Sequence, residues 1–436
     1  MSCDLRSQHP LLSGSIPEGW QLVKLSDLGE VNRGRSRHRP RYAEHLYGGP
    51  YPFIQTGDIK SSNGRIKEYK QTYSEAGLAQ SRLWSAGTMC ITIAANIAET
   101  GILAFPACFP DSVIGFIADK SKCDVYFVEY MFRYLKNKIQ REATGSVQDN
   151  INLETLERIQ FPLPPISEQF AISKVLGNFD AKIGINQQMN RTLEAVGQAV
   201  FERWFVDFEF PNEEGKPYKS SGGEMVYNQV SDKEIPKGWI IKPIDEIADF
   251  LNGLALQKFP AREGEESMPV IKIRELRQGI TESSDKANLD LPEGYVVDNG
   301  DILFSWSGSL EVVIWGFGKG ALNQHLFKVT SSKYPKWFFY YWILHYLPEY
   351  RQIAADKATT MGHIQRHHLT ASQVIVPDDK TLERMDRLLS PILERISGIK
   401  VETKVLSEIR DLLLPKLMSG KIRVPLPKDN ERHLDV

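Results

Sequence analysis

Asp58, Glu68 and Lys70 stand in the order D…ExK. In that order two carboxylates can hold a magnesium ion and the lysine can assist an attacking water, the chemistry of a metal-dependent nuclease. The same order arises by chance in charged hairpins, and the second half of the chain lacks it. His363, His367 and His368 in HIQRHH are zinc-ligand types. The stretch has neither the glutamate of HExxH nor a nearby cysteine, so it reads as an exposed polar turn. GFGKG (316–320) lacks the Ser or Thr that follows Gly-Lys in a phosphate loop and reads as a glycine turn. GxSxG, GxGxxG and NPP[YF] are all absent. No convincing catalytic constellation emerges, and the weight moves to binding.

Binding chemistry is concentrated in VNRGRSRHRPRY (31–42), where Arg33, Arg35, Arg37, Arg39 and Arg41 alternate with no acid between them, in a chain of net charge −2. On an extended segment such residues share a face. The forked guanidinium matches phosphate oxygens and guanine edges. A solvated surface run is the alternative, but crowded like charges gain from a polyanion. Further candidates for contact with nucleic acid are Lys60 and Asn63 in DIKSSN and Gln148, Asn150 and Asn152 in SVQDNIN. In the second half they are Lys258, Lys272, Arg274, Arg277, His363, Gln365, Arg366 and His367. Asn and Gln can pair bidentately with adenine, and Lys or Arg with guanine. The stretch matching the arginine run, LNGLALQKFPAR, carries only Lys258 and Arg262. The two halves are therefore expected to bind one kind of partner through different sequences.

The elements that must position these residues are written twice. IPEGWQLVKLSDLGEVNRG (16–34) returns as IPKGWIIKPIDEIADFLNG (235–253), 219 residues later. YPFIQTGDI has a looser echo in MPVIKIREL, while AGTMCITIAANI matches NGDILFSWSGSL and FPLPP matches VIVPD, both at an offset of 213. One long unit used twice is not a solenoid. In each unit short apolar runs broken by Gly, Pro, Asn and Asp predict strands, followed by a helical patch, YFVEYMFRYLKNKIQ or PKWFFYYWILHYLPEYRQ. A long proline-free stretch follows from Ser167 to Glu209, apolar at Ile172, Leu176, Phe179, Ile183, Leu193, Val200 and Trp204. That spacing predicts an amphipathic helix capped near Ser167 and Glu168, about 60 Å long. The second unit repeats the pattern from Met385 to Leu417. The partner for each stripe is the other helix, with Asn186, Asn190 and Thr403 as polar register-setting residues on the seam.

The class is thus α+β: two tandem mixed α/β domains, each followed by a long helix, the helices pairing as an antiparallel coiled coil with pseudo-twofold symmetry. The divisions are a first domain at 16–160, a central helix at 161–211, a linker at 212–233, a second domain at 234–376 and a C-terminal helix at 377–424, with tails 1–15 and 425–436. A length of 436 residues, 42% hydrophobic and 25% charged, suits an ordinary soluble protein of more than one domain. No apolar run reaches the roughly 18–20 residues of a membrane span, and the N-terminus lacks the order of a signal peptide. Four cysteines without a CxxC pair suggest no disulfide framework. A cytoplasmic location is expected.

PLPPISEQFAISKVLGNFDAKIGINQQMNRTLEAVGQAVFERWFVDF (162–208), with its PLPPxxEQ opening, DAKI and RWFVDF ending, resembles the specificity subunit of type I restriction–modification enzymes. IPEGWQLVKLSDLG, YPFIQTGDIK, IPKGW and LLPKLMSGKI are weaker echoes, and the resemblance runs from about residue 16 to 424. It implies two target recognition domains, each reading half of a split DNA site, which the arginine run without a second-half counterpart makes asymmetric, and two helices that set their separation and hold two adenine-N6 methyltransferase subunits. Catalysis belongs to the partners: S-adenosylmethionine is the methyltransferase's cofactor, and ATP and magnesium serve a motor–nuclease subunit that can join. The chain itself is expected to carry no cofactor or metal and no activity. The second long helix lacks the EQ opening and the aromatic end of the first. Phe201, Trp204, Phe205 and Phe208, on one face of the first helix end, are expected to help hold a methyltransferase, with packing on the second helix as the competing reading. Half-site centres about one turn of DNA apart suit helices of this length. The rival readings are a nuclease using Asp58, Glu68 and Lys70, and a coiled-coil scaffold that binds no DNA.

Overall fold

The runs MCIT and ILFS, each behind a glycine turn, become the central strands of two sheets. In the computed structural model, residues 16–94, 96–144, 153–229, 232–356 and 362–426 are described. The chain divides into two units, residues 1–181 with 408–436, and residues 182–407.

The first unit runs β1 (Gln21–Lys24), β2 (Gly29–Arg33), β3 (Tyr47–Phe53), α1 (Thr56–Ser61), β4 (Gly64–Ile66), β5 (Gln71–Tyr73), α2 (Glu75–Ala79), β6 (Met89–Thr92), β7 (Thr100–Leu103), β8 (Val113–Ala118), α3 (Val125–Thr144), α4 (Leu153–Arg158), β9 (Gln160–Leu163) and the long α5 (Ile166–Phe205), whose later part belongs to the second unit. Its main sheet has the order β2-β8-β6-β7-β4, and β1 pairs separately with β9. Strand β6 is buried on both faces, so it reads as a continuous apolar run rather than an alternation. One face takes α3 through Phe127, Val128, Met131 and Leu135, joined by Ile172 and Leu176 of α5 and by Leu417 and Met418 near the C-terminus.

The second unit runs β10 (Met225–Asn228), β11 (Lys233–Pro236), β12 (Ile240–Pro243), α6 (Ile244–Ile247), β13 (Asp249–Asn252), β14 (Ser267–Ile271), α7 (Ile273–Gln278), β15 (Lys286–Asn288), β16 (Val296–Val297), β17 (Ile302–Ser305), β18 (Val312–Ile314), β19 (Gly320–Leu322), β20 (Leu326–Thr330), α8 (Lys336–Asp356), α9 (Arg366–Ala371), β21 (Gln373–Val376) and α10 (Asp379–Met418), which ends in the first unit. Its sheet order β13-β20-β17-β18 matches β2-β8-β6-β7 strand for strand. The match extends to register. Gln21 faces Leu163 and Ile240 faces Val376; Arg33 faces Ile114 and Asn252 faces Phe327; Thr92 faces Val113 and Ser305 faces Leu326. These pairs carry the offsets of 219 and 213 found in the sequence, so the repeat is one fold used twice.

Helix α5 starts at Ile166, so Ser167 lies in its first turn rather than at the cap. Glu168 there accepts from the Trp20 indole at 3.3 Å and pairs with Arg423, which suits a carboxylate at a helix N-terminus. Within each unit the two long helices run antiparallel. In the first, Asp180 meets Arg410 while Ile172 and Leu176 meet Leu417 and Met418. In the second, Lys182 and Asn186 reach Glu402, and Glu194 reaches Lys400. Asn186 is fully buried on this seam, as a register-setting residue requires. Thr403 instead returns its hydroxyl to the Ile399 carbonyl of its own helix.

Two expectations need correction. The linker is partly built into the second unit: Tyr218 stacks on Phe210 at 4.6 Å, and β10 and β11 form a hairpin. The aromatic face of α5 is core, not a docking surface. Phe201 and Phe205 are each 1% exposed, and Trp204 and Phe208 are also buried. Phe205 lies against Trp239, Trp337 and Phe338, and Phe201 against Trp342. The helix end finds its partner in the aromatic run of α8, Phe208 just beyond the helix packs on Trp239, and that burial removes all four rings from any surface. Among the described residues, no helix is long and apolar enough to cross a membrane.

Candidate nucleic-acid interface

The arginine run has two parts. Arg33 closes β2, and the chain continues strand-like beside residues 109–113, with the Gly34 amide donating to the Val113 carbonyl at 2.8 Å and the Arg35 amide to the Phe109 carbonyl at 3.2 Å. Gly34 and Ser36 are buried while Arg33, Arg35 and Arg37 are exposed, so these three share the outer face as a period of two requires. Only glycine fits at 34, because a Cβ would come within 2.3 Å of the Pro110 carbonyl oxygen. Beyond Arg37 the chain turns, and the single-face expectation fails for the last two arginines. Arg39 donates to the carbonyls of Ser36 and His38 at 2.7 and 2.8 Å, and Arg41 donates to both carboxylate oxygens of Asp111 at 3.0 Å. Arg33 donates to the Asp111 backbone carbonyl. Asp111, 70 residues beyond Arg41, supplies the acid that the local sequence lacks. Arg35 and Arg37 have no side-chain partner among the described residues and are the uncompensated charges of the run.

Lys60 donates to Asn96 at 3.1 Å, and Asn63 is exposed in a left-handed conformation at φ 48° just past α1. Both line a polar pocket of about 250 Å³. Beside it, Arg133 pairs with Glu129 and Asp180, Lys136 with Glu99, and Arg410 with Asp180 and Asp411. Burial opposes the charge on Asp180, but Arg133, Tyr130 and Arg410 outweigh it and hold the carboxyl below its usual range. Gln148, Asn150 and Asn152 lie outside the described residues.

Asp58 has a structural task. Its carboxylate accepts the Gln55 amide at 2.9 Å and caps α1, and Glu275 accepts the Lys272 amide at 3.1 Å and caps α7. The position is a capping position in both domains, which accounts for Asp58 without a metal.

In the second domain the candidate cations are mostly matched. Lys272 pairs with Asp285, Arg274 with Glu275 and Arg277 with Glu311. Arg366 donates to the Phe250 carbonyl at 3.2 Å and lies over the Phe327 ring. Lys258 is exposed. His363 bridges to Ser307, Gln365 precedes α9, and the His367 ring lies 3.9 Å from that of His368.

The sheet end that carries Arg33 in the first domain carries other residues in the second, and the sequence reading passed over them. Asn252 occupies the place of Arg33, Trp306 that of Ile93, Gln324 that of Asp111 and His325 that of Ser112. The Trp306 indole donates to the Asn252 side-chain oxygen at 2.8 Å and to the Gln324 carbonyl at 3.1 Å. His325 Nδ1 lies 3.0 Å from the Ser307 hydroxyl. The offsets of 219 and 213, applied to the ends of the strands, were the signal for them.

Comparison with known proteins agrees with this architecture. The chain is 30% identical over 434 residues to the type I restriction enzyme MjaIX specificity subunit of Methanocaldococcus jannaschii, covering 94% of this chain and 95% of that one. It is 21% identical over 463 residues to the HindI specificity subunit of Haemophilus influenzae, covering 91% and 98%. The crystal structure of a type I restriction–modification S subunit from M. genitalium shares the fold with a TM-score of 0.58 at 14% identity, over 94% of this chain and 99% of that one. The family model for the type I restriction modification DNA specificity domain matches twice, at residues 17–195 and 236–410. With one such domain in each half and the two halves in matching register, the chain belongs to the type I restriction–modification DNA specificity family.

Proposed function

We propose that this specificity subunit binds duplex DNA at a bipartite, asymmetric target, one half read by each domain, and positions partner subunits that carry out the catalysis. The observation that supports the DNA contact is the outer face of the arginine run. Arg35 and Arg37 project from a backbone fixed by Gly34, beside Arg33, with no carboxylate of their own among the described residues. Such a face gains from phosphate and releases counterions on binding. Asymmetry follows from the second domain, whose equivalent strand end is Asn252 followed by Gly253 and Leu254. The partners are two methyltransferase subunits, which bring S-adenosylmethionine, and motor–nuclease subunits, which bring ATP and magnesium.

Methylation sequencing of DNA from cells that express the chain with its methyltransferase tests this reading. The expected result is a split motif of two unlike halves. Exchanging residues 16–160 for another recognition domain should change one half and keep the other. A continuous palindrome, or a change in both halves, refutes two independent readers. DNA cleavage by the purified chain with magnesium supports a nuclease instead, and absence of salt-dependent DNA binding supports a scaffold.

A further inference from the structure

The two domains share a strand order and register but present different chemistry at the same sheet end. In the first, that end is cationic. In the second the same positions hold no lysine or arginine: they are Asn252, Trp306, Gln324 and His325, with His363 bridging alongside. Of the nearby cations, Lys272, Arg274 and Arg277 each face a carboxylate, whereas exposed Arg366 donates to the Phe250 carbonyl and lies over the Phe327 ring. Electrostatic attraction to phosphate is therefore weaker at this strand end than along the arginine run, and hydrogen-bond geometry carries more of the recognition.

That geometry is held from behind. An indole N–H can only donate, so the Asn252 atom 2.8 Å from Trp306 is the amide oxygen. The Asn252 NH2 group is then turned away from the indole, on an exposed residue, and the oxygen keeps a second lone pair. This is the donor-and-acceptor edge that pairs with N7 and N6 of adenine in the major groove. Gln324 presents a second amide from the adjacent strand end. Its own carbonyl is tied to Trp306, and its side-chain nitrogen lies 3.4 Å from His325. His325 is in turn braced at 3.0 Å by Ser307, a buried hydroxyl. The Asn252 amide at the end of β13, held by Trp306, and the Gln324 amide in the turn before β20, held by His325, form a reading edge whose side chains lose little freedom on binding.

Resting on the two-reader function proposed above, we infer that the second domain recognises an adenine-containing half-site through the neutral edge Asn252–Trp306–Gln324, while the first domain supplies most of the electrostatic affinity. Each domain reads its own half, while salt dependence belongs mainly to the first. Asn252 and Gln324 are the specificity-determining pair, and Trp306 positions the Asn252 side chain and the Gln324 backbone.

The test uses the purified full chain and a pool of randomised duplexes of about 40 base pairs, close to four helical turns. Wild type should select a two-part motif and bind it with a steep dependence on salt. Asn252→Ala and Gln324→Met should each flatten the preference at adenine positions of one half roughly tenfold. They should leave the other half and the slope of log K against log salt unchanged. Arg35→Ala with Arg37→Ala should do the reverse, lowering the slope by about two units while the second half-motif persists. Thermal melts identify a variant that does not fold. Gln324→Met removes the amide at a half-buried site without touching the tryptophan contact, so it decides the matter should Asn252→Ala disrupt the domain. The inference is overturned if a folded Gln324→Met keeps both half-motifs intact, or if the second-domain variants lower the slope as much as the arginine variants do. A wild-type chain that selects no motif and binds without salt dependence overturns the proposed function itself, a result distinct from either.

Discussion

Arg35 and Arg37 should dominate the salt dependence of DNA binding, although five arginines share the run. The reason is the acid at 111. Arg41 is held by both oxygens of that carboxylate, Arg39 lies 4.0 Å from it, and Arg33 donates to the same residue's backbone. Each of these must give up a partner to reach phosphate, whereas Arg35 and Arg37 need give up none among the described residues. A lost phosphate contact lowers the slope of log K against log salt by about 0.9, so Arg35→Ala with Arg37→Ala lowers it by about 1.8. Between 50 and 200 mM salt the advantage of wild type over the variant then shrinks about tenfold. Asp111→Asn works in the opposite direction: it releases Arg39 and Arg41 and raises the slope by about 0.9 for each that reaches phosphate, about 1.8 for both. Fluorescence anisotropy of a labelled duplex, titrated at four or so salt concentrations, reads both effects. An unchanged slope in the double variant, or a lower slope in Asp111→Asn, refutes the reasoning.

Asp180→Ala should destabilise the first unit by about 3 kcal/mol, read from urea unfolding, because among the described residues it leaves half-buried Arg410 with the exposed Asp411 while Arg133 keeps Glu129. The Asp180 carboxyl is depressed in the fold, so its stabilisation is complete above the unfolded carboxylate range of about pH 4 and is lost as pH falls through the lower folded value. An Asp180→Asn chain should show a shallower loss of stability in acid than wild type does. Trp204→Ala and Phe205→Ala should each cost about 3–5 kcal/mol as cavities in the aromatic core. A folded variant of normal thermal stability that fails only in assembly would restore the docking reading. Gly197→Ala should destabilise by about 1–3 kcal/mol, because its Cβ would lie 1.8 Å from the hydroxyl oxygen of buried Tyr341. Tyr341→Phe should recover part of that loss in a melt of the double variant.

Several features were legible in the chain because they depend on local pattern. The strands β6 and β17 are short apolar runs behind turns, and the long helices are proline-poor stretches with apolar residues three and four apart. The duplication, including its offsets of 219 and 213, needs no coordinates, and strand register reproduces it. The alternation of exposed arginines with buried Gly34 and Ser36 is likewise a consequence of the period of an extended chain.

Other features depend on residues distant in the chain, and these only the tertiary structure decided. Charge compensation of the run comes from Asp111, and the neutral edge of the second domain is assembled from strand ends 54 and 18 residues apart, at Asn252, Trp306 and Gln324. The aromatic end of α5 shows why composition alone misleads. Large rings at the helix end and just beyond it require burial, but nothing in their spacing names the surface that buries them, and α8 with Trp239 supplies it from within the second domain. Sequence determined the repeated elements because backbone geometry is set by neighbouring residues. The fold decided which side chains remain free to meet DNA, because freedom from a partner is a property of everything packed nearby.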